Sequence, residues 1–298
     1  MSARAATAPN RSRRKVGPPS GDAPVRRVSG KVRSVPAAAV AVVPEVPAPL
    51  LRGSGTAEKR APAAARAGAG NHLRRGSGAA AVAVITEPAT HGDGWRHLWL
   101  GDTGQGKTWA MRELIAIPGQ LVFVHDDKSA TPEYPDHAVY FRHPAELRFL
   151  SPDQCSQLSA AAFRGDVHAG DICDPDEVAE AALMCARKRI PAMLVIDEWR
   201  RVATGKGEAP NVEACVLTGR AMGLSVAAGA QIPQNVGGVM LNSCSSVGLF
   251  RVGPAGLNYL DERLYFDREM LEVVPTLAKG DFVIHRPGHP WDRTVYRF

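Results

Sequence analysis

The first 94 residues contain no Phe, Trp or Tyr, and the first 80 contain only three acids, Asp22, Glu45 and Glu58. A stretch built instead from Ala, Pro, Gly, Ser and Arg cannot bury enough apolar surface to offset the entropy of ordering it. The composition therefore predicts a disordered basic tail over residues 1–90. Long hydrophobic runs are missing too. The apolar stretches near 37–51 and 79–85 are too short or too broken by proline to cross a bilayer, which takes about 20 apolar residues. No integral membrane segment is expected, and the reading is cytoplasmic. The arginine-rich, acid-poor start has the flavour of an organelle transit peptide but lacks the apolar core of a secretory signal. Cysteine is sparse: Cys155, Cys173, Cys185, Cys215 and Cys244 are odd in number, widely spaced and without a C-x-x-C pair. That excludes a disulfide framework and a zinc site, leaving buried free thiols in a reducing compartment.

What the tail has is positive charge. Residues 1–80 hold 15 of the 36 Lys and Arg, which makes them +12, while the whole chain is only +6. The rest of the chain is mildly acidic, so the pI of about 9.2 is a property of the tail. A folded part of that sign contacts DNA only through a local basic surface.

Beyond residue 90 short apolar runs alternate with amphipathic stretches. The runs at 96–101, 120–127, 137–142, 192–198, 225–231, 246–252, 281–287 and 294–298 predict strands, and 158–166 is a strand or a helix. The stretches at 107–117, 174–189 and 211–223 predict helices, with a short one near 143–150. The helix at 174–189 has a strong start, since Asp174 can cap it and Pro175 suits its first turn. Buried strands alternating with helices imply an α/β domain over 91–298, a mainly parallel sheet with helices on both faces.

Residues 101–108 read GDTGQGKT. They fit G-x-x-x-x-G-K-[ST] between a strand and a helix, the context a phosphate loop requires. Its glycines let backbone N–H groups curl around an anion, and the helix dipole adds positive potential. Gly101, Asp102, Thr103, Gly104, Gln105, Gly106, Lys107 and Thr108 are therefore the candidate ATP-binding residues. Lys107 is expected to reach the β- and γ-phosphates and Thr108 to hold Mg²⁺. The strand MLVIDE ends on Asp197, a second magnesium ligand, and Glu198, placed to polarise the attacking water. Together these imply a P-loop NTPase of the RecA/ASCE type. No N-K-x-D base-reading motif accompanies them, which argues against a GTPase. Gln231 ends the next strand, where its amide can sense the γ-phosphate. Arg220, with Arg251 second, is a candidate to stabilise transition-state charge on a neighbouring subunit's nucleotide. The loop at 200–210, with Arg200, Arg201 and Lys206, is the candidate DNA contact.

The order GDTGQGKT, MLVIDEW, GRAMGLSVAAGAQIPQ and LFRV resembles the FtsK/HerA superfamily of DNA-pumping ATPases over about residues 96–298. The resemblance implies a homo-hexameric ring on double-stranded DNA, with Mg²⁺ and ATP at subunit interfaces. Lys107, Thr108, Asp197, Glu198, Gln231 and Arg220 match its motif positions. The chain lacks FtsK's membrane helices and winged-helix module and HerA's N-terminal barrel. A bare core looks most like the genome-packaging ATPases of tectivirus-type viruses, which implies a capsid vertex or portal-like partner and a place in the host cytoplasm or virion. Within the superfamily the alternatives are a conjugative or plasmid-transfer ATPase and a filamentous-phage assembly ATPase. Outside it stands a P-loop kinase or metabolic ATPase without a DNA partner.

Overall fold

The protein is seen in a computed structural model that describes residues 73–87, 93–126, 131–166, 171–202 and 209–298. Residues 1–72 of the expected tail lie outside the described residues. Among these, ten strands form one sheet: β1 Arg74–Ser77, β2 Arg96–Leu100, β3 Leu121–His125, β4 Val139–Phe141, β5 Ala160–Phe163, β6 Ala192–Ile196, β7 Leu224–Ala230, β8 Ser246–Leu249, β9 Asp281–His285 and β10 Thr294–Arg297. Their order across the sheet is β1-β10-β9-β8-β2-β7-β6-β3-β5-β4. The seven strands from β8 to β4 are parallel, and β9 is antiparallel to both neighbours. This is the α/β, mostly parallel P-loop architecture that the alternation implied.

Each strand turns successive side chains to opposite faces, and both faces are covered. In β2, Leu98 and Leu100 enter one core and Trp99 the other. The first core is closed by α4 (Pro175–Arg187), α5 (Pro210–Leu217), α6 (Gly238–Ser243), α7 (Pro254–Leu264) and α8 (Arg268–Val273). The second is closed by α1 (Gly78–Thr86) and α2 (Lys107–Ile115). A short α3 (Pro152–Gln157) stands outside both. The helix expected at 174–189 starts as its sequence dictates: the Asp174 carboxylate accepts from Asp176 N at 2.9 Å and Pro175 fills the first turn. Burial holds the His97 imidazole of β2 neutral, its pKa lowered to about 3, with Ser246 Oγ 2.7 Å from Nδ1.

Four expectations change. The basic tail does not run to residue 90, because β1 pairs in parallel with β10 and α1 buries Ala81 and Ile85 in the second core. The nearly buried Asp281 carboxylate fastens that edge by accepting from Arg75 Nη1 at 3.0 Å and Arg297 Nε at 2.6 Å. The helix expected over 211–223 stops at Leu217 and resumes as a 3-10 turn, Gly219–Met222, closed by Gly223 at φ 76°. The cause is Arg96, whose buried guanidinium donates to Cys215 O and Val216 O at 2.8 Å each. Those are the acceptors a continuing helix needs for the N–H groups of Gly219 and Arg220. The segment at 143–150 is a 3-10 turn, while 158–166 forms a strand, the first of the two states expected there. All five cysteines are free, but Cys155 is exposed instead of buried.

Because α1 is core and not tail, a chain beginning at residue 88 should be less stable than one beginning at residue 73. Burying one large aliphatic side chain is worth about 1.5–3 kcal/mol. With Ile85, Ala81 and the Arg75 ion pair lost, the melting temperature should fall by roughly 5–12 °C at this chain size. Thermal melts of the two chains measure it, and a difference under about 2 °C means that α1 contributes nothing to the core.

Candidate functional site

The carboxyl ends of β2, β7 and β6 meet because their register is fixed. Leu100 pairs with Ala230, which sets Gly101 beside Gln231. Ile196 pairs with Ala228, which sets Asp197 and Glu198 at the same edge. In open α/β sheets that edge is where ligands bind.

The phosphate loop turns through Gly104 at φ 75° and Gly106 at φ 116°, backbone that only glycine adopts without strain. It runs directly into α2. Lys107 is 4 % exposed, and its Nζ donates to Gly101 O at 2.7 Å and Asp102 O at 3.0 Å. Two backbone bonds brace the loop from the far side. Asp102 N donates to Arg251 O at 3.0 Å, and Gly280 N donates to Gln105 O at 3.1 Å. A Cβ on Gly101 would lie 2.6 Å from Phe250 Cβ, so the strand exit tolerates no side chain there.

Thr108 Oγ1 donates to Asp197 Oδ1 at 3.1 Å. A hydroxyl and a carboxylate side by side at a helix N-terminus are hard oxygen donors of the kind that suits Mg²⁺, which keeps several waters and bridges to phosphates. The two residues fit that ion. Glu198, almost fully buried, accepts from Gln231 Nε2 at 2.8 Å, and Gln231 Oε1 accepts from Thr103 Oγ1 at 2.8 Å. One amide therefore joins the phosphate loop to the Glu198 carboxylate. Trp199, wholly buried, follows Glu198 into the first core and anchors that corner.

Asp126, at the end of β3, went unassigned in the sequence although its strand closes on acids. Burial raises its carboxyl above the ordinary range, and the nearby Asp197 charge pushes the same way. The hydroxyl of Tyr140 and Glu133 N both bond it. Arg220 is not brought to this edge. It sits in the 3-10 turn before β7, its carbonyl accepting from Gly94 N at 3.0 Å and its guanidinium 3.8 Å from Asp93. Seven residues of β7 separate it from Gln231, about 23 Å at the usual rise per residue. Arg251 does lie at the phosphate-loop edge, exposed, directly after β8 and Phe250. Of the candidate DNA loop, residues 203–208 lie outside the described residues, and Arg200 is exposed.

Gln231→Leu keeps the bulk of the side chain and cuts both of its hydrogen bonds. Nucleotide affinity should stay within about threefold while turnover falls roughly 100-fold, the usual loss for one aligned donor in a catalytic site. Equal losses in binding and turnover would mean that the amide serves only the loop.

No protein-family model matches the sequence, and no curated protein does. Solved structures do. The genome packaging NTPase B204 from Sulfolobus turreted icosahedral virus 2, in complex with AMPPCP, superposes with a TM-score of 0.52 at 15% identity, over 69% of this chain and 97% of that one. B204 from Sulfolobus Turreted Icosahedral Virus, described as a DNA-packaging ATPase, gives 0.51 at 14% identity over 66% and 93%. A bacterial conjugative coupling protein superposes more loosely, with a TM-score of 0.47 at 12% identity over 76% and 92%. Over about two thirds of its length the chain shares the P-loop fold of the viral packaging NTPases, along nearly the whole of theirs.

Proposed function

We propose that the protein hydrolyses ATP with Mg²⁺ to drive double-stranded DNA through a homo-hexameric ring, packaging a viral genome into a capsid through a vertex or portal-like partner. The observation that carries the reading is the convergence of Lys107, the Thr108–Asp197 pair and the Thr103–Gln231–Glu198 chain on one sheet edge. The fold likeness to the two viral NTPases supports it, and so does a region before residue 81 that carries fifteen basic residues and three acids.

In this reading Lys107 turns from the loop carbonyls to the β- and γ-phosphates, and backbone N–H groups of the loop hold the remaining oxygens. Thr108 and Asp197 hold the magnesium ion, which would neutralise charge gathering on the phosphates. Glu198 orients and deprotonates the attacking water, and Gln231 keeps that carboxylate aimed at it. The basic residues of the tail and of the 200–210 loop track DNA phosphates without reading bases, as a motor indifferent to sequence requires.

The decisive assay is ATP hydrolysis by the full chain with and without double-stranded DNA. Stimulation by DNA is expected, together with loss of turnover in Lys107→Ala and in Glu198→Gln, the latter still binding ATP. A rate indifferent to DNA excludes the motor and leaves an ATPase of another kind.

The 23 Å gap along β7 means that Arg220 cannot serve its own subunit's nucleotide, so its proposed role is in trans. A cleft of about 870 Å³ opens beside it at the amino edge, between Asp93, Arg187, Arg189 and Met222. That edge is where a ring neighbour would meet it. Lys107→Ala and Arg220→Ala subunits should each be nearly inactive alone and recover part of the activity when co-assembled. Mixed rings, verified by mass, that recover nothing would remove Arg220 from the mechanism and make Arg251 the residue to test.

A further inference from the structure

Trp109 stands in the first turn of α2, directly after Thr108, and it is 55 % exposed. The inner face of the helix is buried through Ala110, Met111, Leu114 and Ile115, so the indole lies on the outer side. A single exposed aromatic is ordinary on a protein surface and calls for no explanation by itself. Two features set this one apart.

The first is where the side chain lies. Long side chains on a helix lean toward its N-terminus and cover the turn before their own Cα. The turn before Trp109 is the end of the phosphate loop. The first backbone bond of α2 runs from Ala110 N to Gly106 O at 3.0 Å, so the N–H of Trp109 belongs to the helix end that presents donors to an anion. The second feature is that the ring is held. The guanidinium of Arg112, one turn on, lies 5.6 Å from the centroid of the indole, within reach of a cation–π contact. That guanidinium is itself fastened, since Arg112 Nη2 donates to the Glu133 carbonyl. An arginine anchored at its tip and laid over one face of an indole fixes the plane of the ring, and the exposure of Trp109 leaves the other face open.

In the nucleotide-site reading above, on which this inference rests, the γ-phosphate lies beside Asp197 and Glu198, and the nucleoside is at the opposite end of the phosphate chain. No room exists for it between α2 and the sheet, where even a Cβ on Gly229 would lie 2.2 Å from Met111 Cε. The outer side of the first turn is open, and Trp109 stands there. We propose that Trp109 carries the nucleobase of the bound triphosphate, stacked on the open face of its indole while Arg112 holds the ring from behind. Stacking needs no hydrogen-bond pattern and accepts any base. That suits a sequence with a phosphate loop and no N-K-x-D motif to read one.

Equilibrium titration of the full chain with Mg²⁺–ATPγS and with Mg²⁺–tripolyphosphate, which has the phosphate chain and no base, tests it. Trp109→Ala should weaken ATPγS binding about tenfold and leave tripolyphosphate within about twofold. A loss for ATPγS smaller than about threefold overturns the proposal. So does an equal loss for tripolyphosphate, which would show that the indole merely shapes the loop. A second measurement needs no substitution. Trp95, Trp99 and Trp199 are buried and Trp291 half-buried, so Trp109 dominates the tryptophan emission that acrylamide can quench. ATPγS should shield that emission and tripolyphosphate should not; equal quenching with and without ATPγS overturns the proposal even if Trp109→Ala does not fold. Wild-type protein that binds tripolyphosphate as tightly as ATPγS overturns it too and leaves the phosphate-loop reading standing. Wild-type protein that binds neither overturns the nucleotide-site reading, and this inference with it.

Discussion

Thr108 and Asp197 belong to elements separated by a whole strand, and they meet because β7 carries no side chain at Gly229. A Cβ there would lie 2.2 Å from Met111 Cε and 2.6 Å from the Asp197 carbonyl oxygen. With the position bare, α2 lies down on β7 and its first turn reaches across to the carboxylate. Moving α2 outward by the width of a methyl group would part hydroxyl and carboxylate, because hydrogen bonds tolerate only a few tenths of an ångström. The same closeness carries Met111 to the Tyr134 hydroxyl and the phosphate loop to Gln231. The small residues of β7, Ala227, Ala228, Gly229 and Ala230, thus set the scale of the site.

The two ends of the parallel strands do different work. At the carboxyl ends the loops are polar and hydrogen-bonded side chain to side chain. At the amino ends a buried cation, Arg96, gathers the carbonyls of α5 and of Leu224. A guanidinium is an apt cap for a helix C-terminus, where carbonyls are unpaired and the dipole is negative. Burial lowers its pKa only to about 10, so it stays charged. β7 runs between these ends, with Arg220 just before it and Gln231 just after, so one rigid strand fixes the spacing of both.

Much of this was legible in the sequence, and the reasons differ by element. The phosphate loop, the β6 carboxylates and Gln231 announce themselves because their chemistry demands particular residues at particular spacings. The start of α4 is equally readable from Asp174 and Pro175. The first strand and helix were not, since RRGSGAAAVAVIT shares its composition with the residues before it, and its partners, β10 and Trp99, lie elsewhere in the chain. Leu257, Leu260 and Leu264 of α7 do have helical spacing, a signal passed over for lack of a motif. The break after Leu217 depends on an arginine more than a hundred residues away, which no local pattern records. The burial of Tyr134 is invisible for the same reason: nothing in TPEYPD says that its phenol ends against Met111 of α2.

The antiparallel placement of β9 has a consequence for the order in which the molecule can be made. An antiparallel strand presents its beginning, not its end, at the phosphate-loop edge, and so the turn before Asp281 reaches back to Gln105. The loop at 101–108 leaves the ribosome before either of its braces, one of which comes from residue 251 and the other from residue 280. Contacts of such long sequence separation close late in folding. During synthesis the motif therefore emerges well before the scaffold that shapes it, and the loop takes its final form only once the residues after β8 and before β9 are in place.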